Sequence, residues 1–201
     1  MEITNKAALT ALMKGCAKQD VRYYLNGIHF GPEKMSSTNG HMLMQVNYLD
    51  LDPSDYPFDN GKAPMCQGTS DVIIPAAAIT AALRNCSKDK LPILDETIVV
   101  VKTDPKLVSL SSTDLEVTKV TKAKTIDGRY PDVEALMAPL TGDHTDVGVD
   151  PDLLIAAGQA AKALGAKCMK LSVVDANSAV RFEASTPEGQ TLEGMIMPMR
   201  L

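Results

Sequence analysis

The sequence predicts an α+β fold assembled from three strand-helix-three-strand half-units packed side by side. The chain carries an internal repeat, each copy opens with a short apolar strand running straight into an amphipathic helix, and three strand-like runs follow each helix. Residues 3–16 and 73–86 align without gaps at a spacing of 70, with Ile3/Ile73, Ala7/Ala77, Ala8/Ala78, Thr10/Thr80, Ala11/Ala81 and Cys16/Cys86 identical. A third, looser copy begins near Val147 with V-G-V-D-P and continues as L-L-I-A-A-G-Q-A-A-K-A-L. One such unit cannot cover its own sheet, so the copies must pack against one another.

In copy one, Asn5 is the expected N-cap of a helix whose apolar stripe is Leu9, Leu12, Met13 and Cys16. Strands are expected over 23–30, 34–38 and 41–48, with Asn39-Gly40 as a two-residue hairpin turn. In copy two, Pro75 fits the first helical turn, Ile79, Ala82, Leu83 and Cys86 form the stripe, and strands are expected over 97–102, 107–112 and 115–126. In copy three, Asp150 caps, Pro151 takes the first helical position, Gly165 stops the helix, and strands are expected over 169–175, 179–184 and 191–197. Residues 50–70 and 139–146 read as connectors. The expected division is therefore 1–139, holding half-units of about 1–52 and 70–139, and 140–201, holding one more.

The carboxyl terminus, G-M-I-M-P-M-R-L, is apolar almost to its last residue, and an apolar tail left in water is a liability, so it is expected to dock. Met195, Ile196, Met197, Met199 and Leu201 could line a groove adaptable to more than one apolar ligand; a final strand closing a core is the alternative.

Composition excludes several classes. With 201 residues, 45% hydrophobic and 22% charged, the chain can bury one sizeable core or two small ones. No apolar run approaches membrane-spanning length and the start M-E-I-T-N-K lacks a signal peptide's basic and apolar regions, so a cytoplasmic protein is expected. Cys16, Cys66, Cys86 and Cys168 are scattered without a C-x-x-C pair, which suggests neither a disulfide framework nor a zinc site. Asp50, Asp52, Asp55 and Asp59 lack the glycine and glutamate of a calcium loop and read as a solvated loop. His29, His41 and His144 are dispersed, and neither a nucleophile motif nor a glycine-rich phosphate loop is present. No catalytic residue, metal or cofactor is expected.

The net charge of −5 argues on its face against nucleic acid. Its distribution argues otherwise. Segments 5–19, 76–88 and 153–167 contain no Asp or Glu, although the chain carries 25. They hold Lys6, Lys14, Lys18, Arg84, Lys88, Lys162 and Lys167, and Lys6, Thr10, Lys14 and Lys18 recur every four residues away from the apolar stripe. Basic helix faces in an acidic protein suit a polyanion held without a tight grip; an ordinary solvated face is the alternative. Nothing resembles base readout, so contacts would go to phosphate irrespective of sequence.

Four stretches, Q-D-V-R-Y-Y-L-N-G-I-H-F at 19–30, T-N-G-H-M-L at 38–43, I-D-G-R-Y-P-D at 126–132 and the terminal M-P-M-R-L, resemble in that order the bacterial β sliding clamp, the DNA polymerase III β subunit. The resemblance implies a DNA-clamp-like fold with helices on one side and antiparallel sheets on the other. It also implies a non-enzymatic processivity factor that encircles duplex DNA and binds DNA polymerase or other partners through a short linear peptide, with a clamp loader as a further partner. Residues 1 to about 139 match the family's whole middle domain and about 147–201 only the second half of its last domain.

Carried over by position, the family's peptide pocket falls on Leu25, Thr38, Gly40, His41 and Leu43 as one wall, Pro131 and Leu136 from the linker, and Ile196, Met197, Pro198, Met199, Arg200 and Leu201 from the tail. Met42 stands where the family usually has arginine and Ala135 replaces another basic residue, which makes the groove greasier. Gln19, Arg22, Tyr23 and Tyr24 match a DNA-touching segment near the channel mouth, beside the basic helix residues. Twelve half-units make the family's ring and this chain holds three, so a homo-oligomer of four chains restores the count. A non-ring decoy or adaptor that binds clamp-binding peptides and competes with a full-length clamp is the alternative.

Overall fold

The first two copies of the repeat fold as one motif twice over, with their opening strands exchanged. The computed structural model describes residues 2–48, 71–86, 97–104, 106–113, 117–137, 145–187 and 190–200, which fall into two units, Met1–Met137 and Ala138–Leu201. In unit 1, β1 (Glu2–Asn5) runs into α1 (Lys6–Gly15), followed by β2 (Gly27–Phe30), β3 (Lys34–Thr38) and β4 (Leu43–Asn47). Then β5 (Val72–Pro75) runs into α2 (Ala76–Asn85), followed by β6 (Thr97–Asp104), β7 (Leu107–Thr113), β8 (Thr118–Lys124) and the short α3 (Val133–Leu136). The antiparallel sheets are ordered β4-β3-β2-β5 and β1-β6-β7-β8. The opening strand of copy two thus lies beside copy one, Ile74 opposite Ile28, and the opening strand of copy one beside copy two, Thr4 opposite Ile98.

Helix α1 packs on β3 and β4, α2 on β7 and β8, and the two helices on each other. Their apolar stripes turn inward as the periodicity requires: Leu9, Leu12 and Ile79 are fully buried, with Cys16, Ala82 and Cys86 beside them. These side chains join Ile28, Phe30, Met35, Ile74, Val108 and Leu110 in one core shared by both copies. Each fully buried Leu, Ile or Phe contributes about 1.5–3 kcal/mol, so separating the copies would forfeit most of the core. A Cβ at Gly15 would stand 2.5 Å from the Ser37 hydroxyl, so glycine there lets α1 lie flat on β3.

Asn5 caps α1 as expected, its side chain accepting from the Ala8 N–H at 2.7 Å. The helix ends at Gly15 because Cys16 is extended (ψ 142), so Lys18 lies off the helix and the expected four-residue ladder of cations is one rung shorter. Pro75 is the last residue of β5 and the N-cap of α2, one position before the first helical turn. The strand expected over 23–30 is divided: Tyr23–Leu25 is a 3-10 turn and β2 starts at Gly27. The cause is Asn26, whose amide exchanges two 2.9 Å hydrogen bonds with the Asp20 backbone and ties the loop shut.

The described residues of unit 2 form one helix, α4 (Pro151–Leu164), and a sheet of β9 (Met169–Ser172), β10 (Val180–Ser185) and β11 (Thr191–Ile196), ordered β11-β10-β9. Asp150 caps α4 by accepting from the Asp152 N–H at 2.8 Å, and Gly165, at φ 94, ends it with its N–H on the Ala161 and Lys162 carbonyls. Since the helix begins at Pro151, its first turn includes Asp152 and α4 is not acid-free; a carboxylate there complements the helix dipole. Lys167 lies beyond the helix stop. The small core is Ala157, Val180 and Ile196, with Val147, Val149, Met169 and Phe182 packed against it.

Cys16 and Cys86 are buried and Cys168 is exposed, and burial pushes the Cys16 thiol up to about 11. No helix among the described residues is long and apolar enough to cross a membrane, which says nothing of β-barrel spans. The aspartates Asp50, Asp52, Asp55 and Asp59, and Lys88, His144 and Leu201, lie outside the described residues.

Candidate functional site

Three separated segments of unit 1 meet in a second buried cluster formed by Ala17, Leu25, Ile73, Tyr130 and Val133, against which Tyr24, Leu43 and Ile126 pack. Leu25 is therefore a core residue, buried in this cluster and not exposed to a ligand. Burial pushes the Tyr130 phenol well above its usual range, and the ring stacks on His29 at 4.7 Å. His29 Nε2 in turn lies 2.8 Å from the Asp71 carboxylate. Tyr130 and Val133 are members of this cluster that the sequence reading missed. Tyr130 stands inside the recognised I-D-G-R-Y-P-D stretch, and its large apolar ring was the signal.

The β3–β4 connection is a four-residue loop, 39–42, rather than the expected two-residue turn, so β4 starts at Leu43. Side chains hold it. The Thr38 hydroxyl donates to the Met42 carbonyl at 2.7 Å and accepts from the Gly40 N–H at 3.1 Å. Asn39 Oδ1 accepts from the N–H groups of His41 and Met42 at 2.9 and 3.0 Å. These bonds replace ladder pairing at the hairpin end, the habit of Asn and Thr in turns. Gly40, His41 and Met42 are exposed at the tip, Thr38 is buried, and Leu43 is half-buried. On the linker side, Pro131 is half-buried and Leu136 is exposed on α3, whose cap Asp132 accepts from the Ala135 N–H at 3.1 Å.

The tail in unit 2 alternates. Ile196 is only 4% exposed, at the heart of its own core, whereas Met195, Met197 and Met199 are 62%, 65% and 55% exposed. Pro198 is half-buried and Arg200 exposed. The chain docks through Ile196 and through the Met199 N–H, which donates to the Gly148 carbonyl at 2.9 Å. The outward apolar strip is therefore the three methionines, and Ile196 is not free to line a groove.

Among the candidate DNA contacts, Lys14, Arg84 and Lys162 are exposed and each occupies the last turn of its helix. Lys6 is half-buried in the first turn of α1, while Lys18, Gln19 and Lys167 are exposed on loops. Gln19 sits at φ 57, an uncommon conformation for a side chain other than Gly, Asn or Asp. Tyr23 is exposed and Tyr24 half-buried, their rings edge to face at 5.9 Å. Arg22 is committed elsewhere: its guanidinium forks onto Asp20, Nε to Oδ1 at 3.1 Å and Nη2 to Oδ2 at 2.8 Å. The Arg22 hydrogen bonds hold the Asp20 carboxyl down at about 2.

Comparison with solved structures identifies the architecture. The DNA polymerase sliding clamp of Pseudomonas aeruginosa superposes with a TM-score of 0.65 at 24% identity, over 98% of this chain and 50% of that one. The β subunit of Streptococcus pyogenes DNA polymerase gives 0.68 at 17% identity, over 98% and 50%. The sliding clamp of Bacillus subtilis gives 0.66 at 17% identity, over 99% and 49%. The fold is that of the bacterial sliding clamps. The chain spans about half the length of the clamps it matches. No protein-family model matches the chain, and no curated protein does either. Of the described helices, α1, α2 and α4 each carry an exposed cation in the last turn, and the short α3 carries none.

Proposed function

We propose that this chain is a shortened, non-enzymatic sliding clamp of the cytoplasm. It encircles duplex DNA without sequence preference and tethers a DNA polymerase or another DNA enzyme through a short linear peptide, after a clamp loader has placed it. The observation that carries this reading is the exposed cation in the last turn of each of the three long helices among the described residues of a clamp fold: Lys14, Arg84 and Lys162. Scattered cations on a protein of net charge −5 attract phosphate weakly, which allows sliding where a dense basic groove would arrest it. The surfaces offered to a partner peptide are, in unit 1, the hairpin tip Gly40–Leu43 with Leu136 and, in unit 2, the methionine strip, each taken by itself; a peptide held on the clamp keeps the enzyme near its template at high effective concentration. Four chains of three half-units each close the ring.

The test is topological. A ring loaded on nicked circular DNA is retained through gel filtration and released when the circle is linearised; equal retention on both forms would refute encirclement. A second reading, a non-ring competitor for clamp-binding peptides, draws support from Arg22, whose charge is taken up by Asp20 and so withdrawn from DNA. Charge reversal at Lys14, Arg84 and Lys162 separates the two: a clamp loses processivity and keeps its peptide affinity, a competitor loses neither.

A further inference from the structure

The third copy of the repeat lacks, within this chain, the sister that each of the first two copies has. Aligned on the caps Asn5, Pro75 and Asp150, the helices share one burial pattern: Leu12, Ala82 and Ala157 are buried, as are Cys16, Cys86 and Ala161. Among the helix positions buried in both of the first two copies, one breaks the pattern. Leu9 and Ile79 are 0% exposed, whereas their counterpart Leu154 is 36% exposed. Strand β9 breaks it a second time. Met169 and Leu171 stand opposite Ala184 and Phe182 and so face the core, the places that Ile28 and Phe30 occupy on β2. Phe30 is 0% exposed and Leu171 is 49% exposed.

In unit 1 both positions are covered by the sister copy, through helix against helix and through the exchanged strand. Unit 2 has kept the half of that exchange it can make alone. The Ile126 N–H donates to the Ile73 carbonyl at 2.8 Å, and the Met199 N–H donates to the Gly148 carbonyl at 2.9 Å, two residues before the cap in both copies. Segment 147–150 is thus set as β5 is set, against the end of its own copy. The other edge of β5 pairs with β2. Among the described residues the corresponding edge of 147–150 and the outer edge of β9 have no strand partner.

We infer that unit 2 completes itself with unit 2 of a second copy of this chain, as a two-fold pair in which α4 meets α4 and segment 147–150 of each lies antiparallel beside β9 of the other. Directly opposed residues share a face, so the core-facing Val147 and Val149 must oppose the core-facing Leu171 and Met169, which places Gly148 opposite Lys170. A two-fold contact closes on itself, and it repeats between chains the interface that copies one and two form within one. This rests on the ring reading only in requiring that chains associate; no DNA or peptide enters it.

The experiment uses the whole chain with Cys66 and Cys168 replaced by serine. Chains carrying Gly148→Cys are mixed with chains carrying Lys170→Cys and oxidised, and mass in solution is measured in parallel at micromolar concentration. The expected result is a disulfide-linked dimer in the mixture and in neither variant alone, with an even number of chains in solution that Leu154→Glu halves. Leu154 is already part-exposed in the single chain, so the folded monomer tolerates the charge. A monomeric mass overturns the inference, and so does association without the mixed cross-link. Retention on circular DNA is scored separately, so loss of the ring reading and loss of this interface give different results.

Discussion

A Cβ on Gly40 would lie 2.8 Å from a guanidinium nitrogen of Arg22, and Gly40 itself sits at φ 85. The hairpin tip and the loop before β2 are therefore locked together at a residue that has no side chain. Gly40→Ala is expected to cost about 1–2 kcal/mol for the left-handed backbone alone, with more for the displaced Arg22. Arg22→Ala in the Gly40→Ala background should recover the contact portion and leave the backbone portion. Urea midpoints of the parent, of Gly40→Ala, of Arg22→Ala alone and of the double variant check this; a Gly40→Ala chain as stable as the parent would contradict it.

The same arginine sets an acid dependence. Asp20 is lowered from 3.8 to about 2, first by the hydrogen bonds from Arg22, so its folded form binds a proton less readily than its unfolded form. The contribution is present in full above about pH 4 and is lost as pH falls from there through about 2. Asp20→Asn should narrow its stability gap from the parent across that window and hold it constant above it. Acid titrations followed by circular dichroism, with carboxyl chemical shifts for Asp20, provide the readout. A gap independent of pH below 4 would count against the Arg22 fork.

Helix spacing and caps were legible in the sequence because each records a purely local preference: Asn5 and Asp150 cap where expected, and the stripes through Leu9 and Ile79 are buried. The exchange of β1 and β5 was not, since alternation tells which face of a strand is apolar and carries nothing about which neighbour it joins. Counting in fours places Lys18 on the first helix, and the extended Cys16 ends that helix before it; the stop at Gly165 was legible, because a glycine at a helix end records a local preference. Ile196 and Met197 are equally apolar in one dimension. Only the pairing of β11 with β10, with Ile196 opposite the buried Val180, decides which of them faces inward.

The helix cations have one role that their position gives, at the helix dipole, and one that is proposed, at phosphate, and one series of variants separates the two. A cation in a last turn complements the helix dipole by about 0.3–1 kcal/mol, and a cation near phosphate displaces a counterion. Gln at Lys14, Arg84 or Lys162 removes both roles, and Glu reverses them. If each contacts phosphate, every Gln substitution lowers the slope of log affinity against log salt by about 0.9. DNA binding measured from low to moderate salt checks this. Unchanged slopes with slightly lowered melting points would leave only the dipole role.

The tail gives the sharpest contrast, because neighbouring residues have opposite environments. Ile196→Ala removes buried methyl groups beside Ala157 and Val180 and should destabilise unit 2 by about 2–5 kcal/mol. Met197→Ala touches no core, so stability should stay within about 0.5 kcal/mol. Peptide affinity is expected to order them differently. A peptide carrying a leucine and an aromatic should bind severalfold more weakly to Met197→Ala, measured by fluorescence anisotropy on protein shown by its melt to be folded. Ile196→Val, which keeps the core filled, should bind that peptide as the parent does, because its side chain points away from the strip. Weakened binding by Ile196→Val together with unaffected binding by Met197→Ala would mean that the tail turns its other face to the partner, which requires it to leave β11.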